Sequence, residues 1–240
     1  MKRPAFYAPT GSRRGDLVAV LHPPYTAWHV AHAALGAGLA PSVDWLVLAG
    51  TLLAFFLGTG VAAHALDEWH GRPLGTSLSD RLLLGMGWAG MGGALVLAGI
   101  GATVVSPWVL AWAAVGVALA TGYALETPAW LHTPIGFALA WGGFPVLVGY
   151  WAQTGSVSIG AVLVAAAATM FSLTQRTLST PARGVRRNAE RAEMWLHHDG
   201  IVDRWDEDAV LATWERPLRM LAWAMVLLAT ALLTTHLSFR

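Results

Sequence analysis

The chain has 240 residues, of which 55% are hydrophobic and only 12% charged, and its mean hydropathy is +0.52. A soluble domain carries about twice that charged fraction. Fifteen basic against fourteen acidic residues leave a net charge of +1, which excludes the strongly basic surface of a nucleic-acid binder. With no cysteine in the chain, disulfides, thiolate metal sites and cysteine nucleophiles are excluded, and any chemistry falls to His, Asp, Glu and Arg.

These numbers predict an all-α, polytopic transmembrane helical bundle, a single domain over residues 1–240. Crossing roughly 30 Å of hydrocarbon takes about 20 mostly apolar residues. Seven stretches qualify, at 18–39, 45–65, 82–105, 108–125, 134–151, 158–173 and 218–237. The first is read as a span and not as a removable signal peptide, because its polar flank is long and its core holds His29 and His32. The third carries Gly85, Gly87, Gly90, Gly92, Gly93, Gly99 and Gly101, a composition suited to close helix packing in lipid. Trp45, Trp108 and Trp151 fall at span ends, where an indole anchors at the headgroup level.

Orientation follows from the basic residues, which favour the cytoplasmic side. Lys2, Arg3, Arg13 and Arg14 precede the first span, and Arg72 and Arg81 separate the second from the third. Arg176, Arg183, Arg186, Arg187, Arg191, Arg204, Arg216 and Arg219 flank the long connection before the seventh. The opposite connections carry no Lys or Arg, and Arg240 alone falls outside, so the N-terminus is expected to be cytoplasmic. Arginine outnumbers lysine fourteen to one, a bias that suggests a bacterial plasma membrane. Between 176 and 216 an Arg-rich run gives way to an acidic one, predicting a cytoplasmic loop. Within it Trp195, Val202, Trp205 and Trp214 are expected on one side of a helix lying in the headgroup layer.

Ionisable groups inside spans cost about 2.5–3.5 kcal/mol each on insertion scales, so a cluster of them points to a cavity or a reaction. His22, His29 and His32 share one helical stripe of the first span. His64, Asp67, Glu68 and His70 close the second, and Glu126 and His132 follow the fourth. On a helix, His64 faces the same way as Asp67 and Glu68, and Asp67 shares a face with His70. Carboxylates suit Mg2+, while added imidazole shifts preference towards zinc, iron or manganese.

Several segments together resemble the UbiA-type superfamily of intramembrane prenyltransferases. They are Leu21-His22-Pro23-Pro24-Tyr25 leading to Gly36-Ala37-Gly38-Leu39-Ala40, then His64-Ala65-Leu66-Asp67-Glu68-Trp69-His70-Gly71 followed by Arg72-Pro73-Leu74. Gly122-Tyr123, Thr133-Pro134, Gly136, Trp141-Gly142-Gly143 and Gly149-Tyr150 continue the likeness. The departures are a missing carboxylate near Asp67, no acid between Gln175 and Arg187, Glu126-Thr127-Pro128 where the family has Lys-Arg, and two fewer spans. The resemblance implies magnesium-assisted ionisation of a prenyl diphosphate. It would place Asp67, Glu68 and Arg72 as catalytic residues, Asp67, Glu68, His64 and His70 around the metal, and His29, His64, Glu126, His132, Arg176 and Arg183 around the substrate. Asp199 and Asp203 are the remaining candidate carboxylate pair. Two other readings stand beside it. One is an intramembrane His/carboxylate metal enzyme, with iron or zinc, acting on a lipid or isoprenoid; the other is a non-catalytic membrane protein that binds a lipid or a partner.

Overall fold

The computed structural model describes residues 5–7 and 12–237. Lys2, Arg3 and Arg240, three of the charges used for orientation, lie outside the described residues. The chain begins with α1 (Arg13–Val20), capped by the Ser12 side chain, which accepts from the Gly15 amide. His22, in the left-handed region at φ 44°, reverses the direction of the chain. Pro23 and Pro24 then pre-set the first turn of α2 (Pro23–Gly38). The Asp44 carboxylate caps α3 (Trp45–Gly71) by accepting from the Leu46 and Val47 amides. Helices α4 (Asp80–Val104) and α5 (Val109–Ala124) follow, then a short turn at Ala129–His132 and α6 (Pro134–Thr154). Helix α7 (Ile159–Asn188), the strands β1 (Met194–His198) and β2 (Ile201–Trp205), and α8 (Glu207–Thr234) complete the chain.

Five of these helices, α3, α4, α6, α7 and α8, are long and apolar enough to cross a membrane. Helix α5 is apolar but has 16 residues. Helix α2, also of 16 residues, is instead the buried axis of the bundle, with almost every residue from Trp28 to Gly38 buried. It packs mainly on α6 and α8, and Trp28, Leu35, Val146 and Met225 form the core between them. Reciprocal glycines permit this approach. A Cβ at Gly36 would stand 2.0 Å from the Val146 carbonyl oxygen, and one at Gly149 would stand 2.0 Å from that of Ala33. Without a hydrophobic drive between helices in lipid, such backbone proximity is a main source of packing energy.

Two helices widen locally into π-helix, α3 over Phe56–Ala63 and α6 over Leu139–Gly143. Each π segment contains two glycines; the α6 segment offers the Trp141 carbonyl to His29 of α2, and the α3 segment offers the Gly60 carbonyl to His64 of the same helix.

The long connection differs from expectation. Helix α7 continues to Asn188 and α8 begins at Glu207, so the loop contracts to 189–206. Thirty helical residues span about 45 Å, roughly 15 Å more than the hydrocarbon core. The Arg186 guanidinium pairs with both oxygens of Glu215 and braces the two overhanging helices. Trp195, Val202 and Trp205 lie in an antiparallel hairpin and not on a surface helix, while Trp214 belongs to α8. The cause is the Asp199-Gly200 pair, whose φ angles of 50° and 75° make the two-residue turn that this dipeptide favours. The fold is therefore helical with one small hairpin. A second difference concerns Trp151, which is buried against Trp112 at 6.0 Å between ring centroids and does not sit as an exposed anchor. Trp45 and Trp108 are exposed, as an interface anchor requires.

Every Arg among the described residues lies at one end of the bundle, with α1, the α3–α4 turn, the C-terminal half of α7, the hairpin and the N-terminal half of α8. The opposite end is tied by the Asp44 amide donating to Gln153 Oε1 at 2.8 Å.

Candidate functional site

At the basic end, side chains from six segments meet around the start of α2. Pro23-Pro24 and the left-handed His22 turn α2 inward, so that His22, Tyr25, His29 and His32 descend along it. Tyr7 shares a hydrogen bond with His22 Nδ1 at 2.8 Å, and its ring meets Tyr25 edge-on at 5.9 Å. His22 stacks on His64 of α3 with ring centroids 4.3 Å apart. Burial raises the Tyr7 phenol well above its ordinary value, and the neighbouring Tyr25 adds to this.

The π segments fix two of the imidazoles. His29 Nδ1–H donates to the Trp141 carbonyl at 3.2 Å, and His64 Nδ1–H donates to the Gly60 carbonyl at 3.3 Å. His32 Nδ1–H donates to the Trp28 carbonyl at 2.7 Å, and its buried Nε2 has no partner. A carbonyl only accepts, so each of these rings carries a proton on Nδ1.

A second group completes the cluster. Arg176 of α7 donates to the Tyr123 hydroxyl at 3.0 Å and to the His132 carbonyl at 3.1 Å, and its guanidinium lies 5.0 Å from the Phe137 ring centre. The Tyr123 and His132 rings stack at 4.3 Å. Partial burial lowers the His132 pKa, with Glu126 opposing the shift and Arg176 adding to it. Arg183 and Arg187 stand one and two further steps along the same face of α7, both within electrostatic reach of Tyr7 and Tyr25, and Arg187 also of Asp67. Ser179 and Gln175, both buried on that face, adjoin Tyr25.

The expected carboxylate pair divides. Asp67 is half-buried and faces the cluster, within electrostatic reach of Arg187, Glu126 and His70. Glu68 is fully buried on the other side of α3. Its carboxylate accepts from the Leu74 amide at 2.9 Å and from the Thr76 amide and hydroxyl at 2.8 and 2.9 Å. It thereby holds the turn between α3 and α4. Arg72 serves the same turn, donating to the Leu78 carbonyl at 2.7 Å and pairing with Asp80. His70 and Glu126 are exposed at the rim. Asp199 and Asp203 lie in the hairpin, where Asp203 approaches His198 at 3.6 Å. Among the described residues no three His, Asp or Glu side chains gather as a metal-ligating group. Magnesium held with a diphosphate takes one or two carboxylates, and with Glu68 saturated and enclosed, Asp67 is the member of the expected pair that faces the cluster.

Beyond the cluster lies an apolar cavity of about 510 Å³, within the range of small-molecule sites. Residues of α3, α4, α5 and α6 line it from Leu46, Val105 and Trp151 near the far end to Thr59, Met91 and Trp141 in the middle of the bundle. Trp141 separates the two regions. Its ring lies 5.2 Å from that of His29 and 5.6 Å from that of Tyr123, while the same residue lines the cavity.

Of the candidate residues, His64, His132, Arg176 and Arg183 lie at the basic end of the bundle, and His29 lies deeper, against Trp141. Tyr7 is not singled out from sequence, while Tyr25, Tyr123 and Trp141 enter there only within the resembling segments and Arg187 only as an orienting charge, none of them as a site residue. Tyr25 is legible as one helical turn from both His22 and His29, and Arg187 as continuing the stripe that runs from Arg176 to Arg183. Nothing local marks Tyr7 or the partitioning role of Trp141. Comparison of the chain with protein-family models, with curated proteins and with solved structures gives no match.

Proposed function

We propose that this protein is a multi-pass membrane protein that binds an isoprenoid or similar lipid, with the chain in the apolar cavity and the polar head at the His/Tyr/Arg cluster. In this reading α2 to α8 are the seven spans and the basic end is cytoplasmic. The observation that carries it is the position of Trp141, which lines the cavity on one side and touches His29 and Tyr123 on the other. A hydrocarbon chain in the cavity would end against this indole, within one side chain of Arg176. Between Leu46 and Thr59 the lining helix rises about 20 Å, somewhat more than half of the roughly 30 Å hydrocarbon core. That depth suits a single chain of ordinary membrane length.

The test is photo-crosslinking of the detergent-purified chain with a diazirine-bearing geranylgeraniol, followed by peptide mapping. Labels should concentrate on α3, α4 and α5 where they line the cavity, and unlabelled geranylgeraniol should compete them away. Labelling spread over the lipid-facing surface without competition would overturn the reading.

Prenyl transfer is a second reading, favoured by Asp67 standing within electrostatic reach of Tyr123, which meets Trp141 on the cluster side of the cavity. It predicts pyrophosphate release from a prenyl diphosphate in the presence of magnesium, lost in Asp67→Ala. With Glu68 committed to the α3–α4 turn, Asp67 is the carboxylate of α3 left to face a diphosphate.

A further inference from the structure

Of the arginines among the described residues, Arg13, Arg14, Arg81, Arg216 and Arg219 are exposed and make no salt bridge with a described carboxylate, and the other seven fall into two groups. Arg72, Arg186, Arg191 and Arg204 each pair with a carboxylate. Arg176, Arg183 and Arg187 do not: among the described residues no Asp or Glu oxygen lies within salt-bridge distance of any of them. Steps of seven and four residues put these three on one narrow stripe of α7. That stripe adjoins the buried Gln175 and Ser179 and faces the phenols of Tyr25 and Tyr123.

Arg176 and Arg183 are half-buried and Arg187 is exposed at the rim; a guanidinium drawn towards the interior without a counter-charge is costly, and an anion removes that cost. The surrounding groups suit an oxyanion. Phenolic hydroxyls and guanidinium forks donate to phosphate oxygens, and Arg binds phosphate through paired N–H groups. Arg176 is already oriented by its bonds to Tyr123 and His132. The carboxylates that would recruit a metal are meanwhile reduced to Asp67.

We propose that Arg183 and Arg187, backed by Arg176, Tyr25 and Tyr123, form a metal-independent site for the phosphate or diphosphate head of a lipid. This rests on the proposed binding of a lipid chain in the apolar cavity and specifies the chemistry of its head. The phosphate could belong to an isoprenoid or to an acyl lipid, and both present the same oxygens to the stripe.

Affinity is measured on the full chain in micelles by tryptophan fluorescence. The probes are geranylgeranyl diphosphate and dioleoyl phosphatidic acid, each beside its neutral counterpart, geranylgeraniol or dioleoylglycerol. At least one phosphorylated probe should bind about ten- to a hundredfold more tightly than its counterpart, and the member of the pair that does so identifies the source. Excess EDTA should leave that affinity unchanged. The Arg183→Gln/Arg187→Gln double variant should lose the preference, while Arg183→Lys/Arg187→Lys keeps part of it. Equal binding of phosphorylated and neutral probes would overturn the proposal and leave chain binding standing. Loss of the preference in EDTA, restored by magnesium and abolished by Asp67→Asn, would overturn it in favour of a metal-bridged head. Failure of every probe to bind would overturn both this proposal and the lipid-binding reading beneath it.

Discussion

Glu68 offers the sharpest division between a structural and a chemical carboxylate. Replacing it with Gln keeps size but leaves one acceptor oxygen where the native side chain serves three donors, the Leu74 amide and the Thr76 amide and hydroxyl. The new NH₂ group would face at least one of those donors in a fully enclosed site. Hydrogen bonds to a charged group contribute about 1.5–3 kcal/mol each, and such losses are not additive, so a cost of roughly 2–4 kcal/mol follows. For a chain of this size that corresponds to a drop of about 5–15 °C in melting midpoint. The assay is thermal unfolding in detergent, followed by tryptophan fluorescence. Asp67→Asn serves as the comparison, since among the described residues Asp67 accepts no hydrogen bond of this kind, and it should melt within about 2 °C of the native chain. A Glu68→Gln protein that melts like the native chain yet loses ligand binding would refute the assignment of Glu68 to the turn.

Three further outcomes are expected. Gly149→Val should strongly reduce the yield of folded, monodisperse protein, because even its Cβ would lie 2.0 Å from the Ala33 carbonyl oxygen, whereas Gly92→Val, in open space, should not; size-exclusion chromatography makes the comparison. Trp141→Ala should join the cavity to the polar cluster and weaken retention of a geranylgeraniol probe by about tenfold or more, with unchanged affinity counting against the partition. In the hairpin, hydrogen bonds from Arg204 and then Arg191 hold the Glu193 carboxyl below its ordinary pKa. Its contribution is therefore present above the unfolded value near 4.3 and lost as pH falls through the lower folded value. Trp195 fluorescence, isolated by difference from a Trp195→Phe variant, should stay constant from neutral pH to about 5 and change only in more acidic solution; a transition near neutrality would be inconsistent with this.

Much of the helical framework is legible in the sequence because lipid imposes a strong rule on it. Backbone polar groups must be satisfied within each segment, so long apolar runs become helices, and the stretches from 45, 82, 134, 158 and 218 match observed membrane-capable helices, 45–65 and 134–151 lying wholly inside them and the other three overrunning an end by a few residues. The same hydropathy rule misjudges the connection after α7. Helices need not end where hydrophobicity ends, and Arg176 to Asn188 stays helical through contacts with α8 and the α6 region. The hairpin has a readable local signal in Asp199-Gly200, and this turn chemistry outweighs the helical spacing of the tryptophans.

The histidines, arginines and Asp67 can be assigned to one end of the bundle from sequence, because up-and-down helices carry each polar span end to a common side. Sequence cannot distinguish Asp67 from its neighbour Glu68. On a helix adjacent residues point about 100° apart, and which of the two faces the cluster depends on how α3 is rotated against α2 and α4. That rotation is decided by contacts far apart in the chain, including the stacking of His64 on His22 and the turn closed by Leu74 and Thr76. The place of Trp141 between cavity and cluster has the same origin: it depends on a widened turn in α6 meeting a carbonyl-seeking His29 from α2, a pairing of residues 112 positions apart.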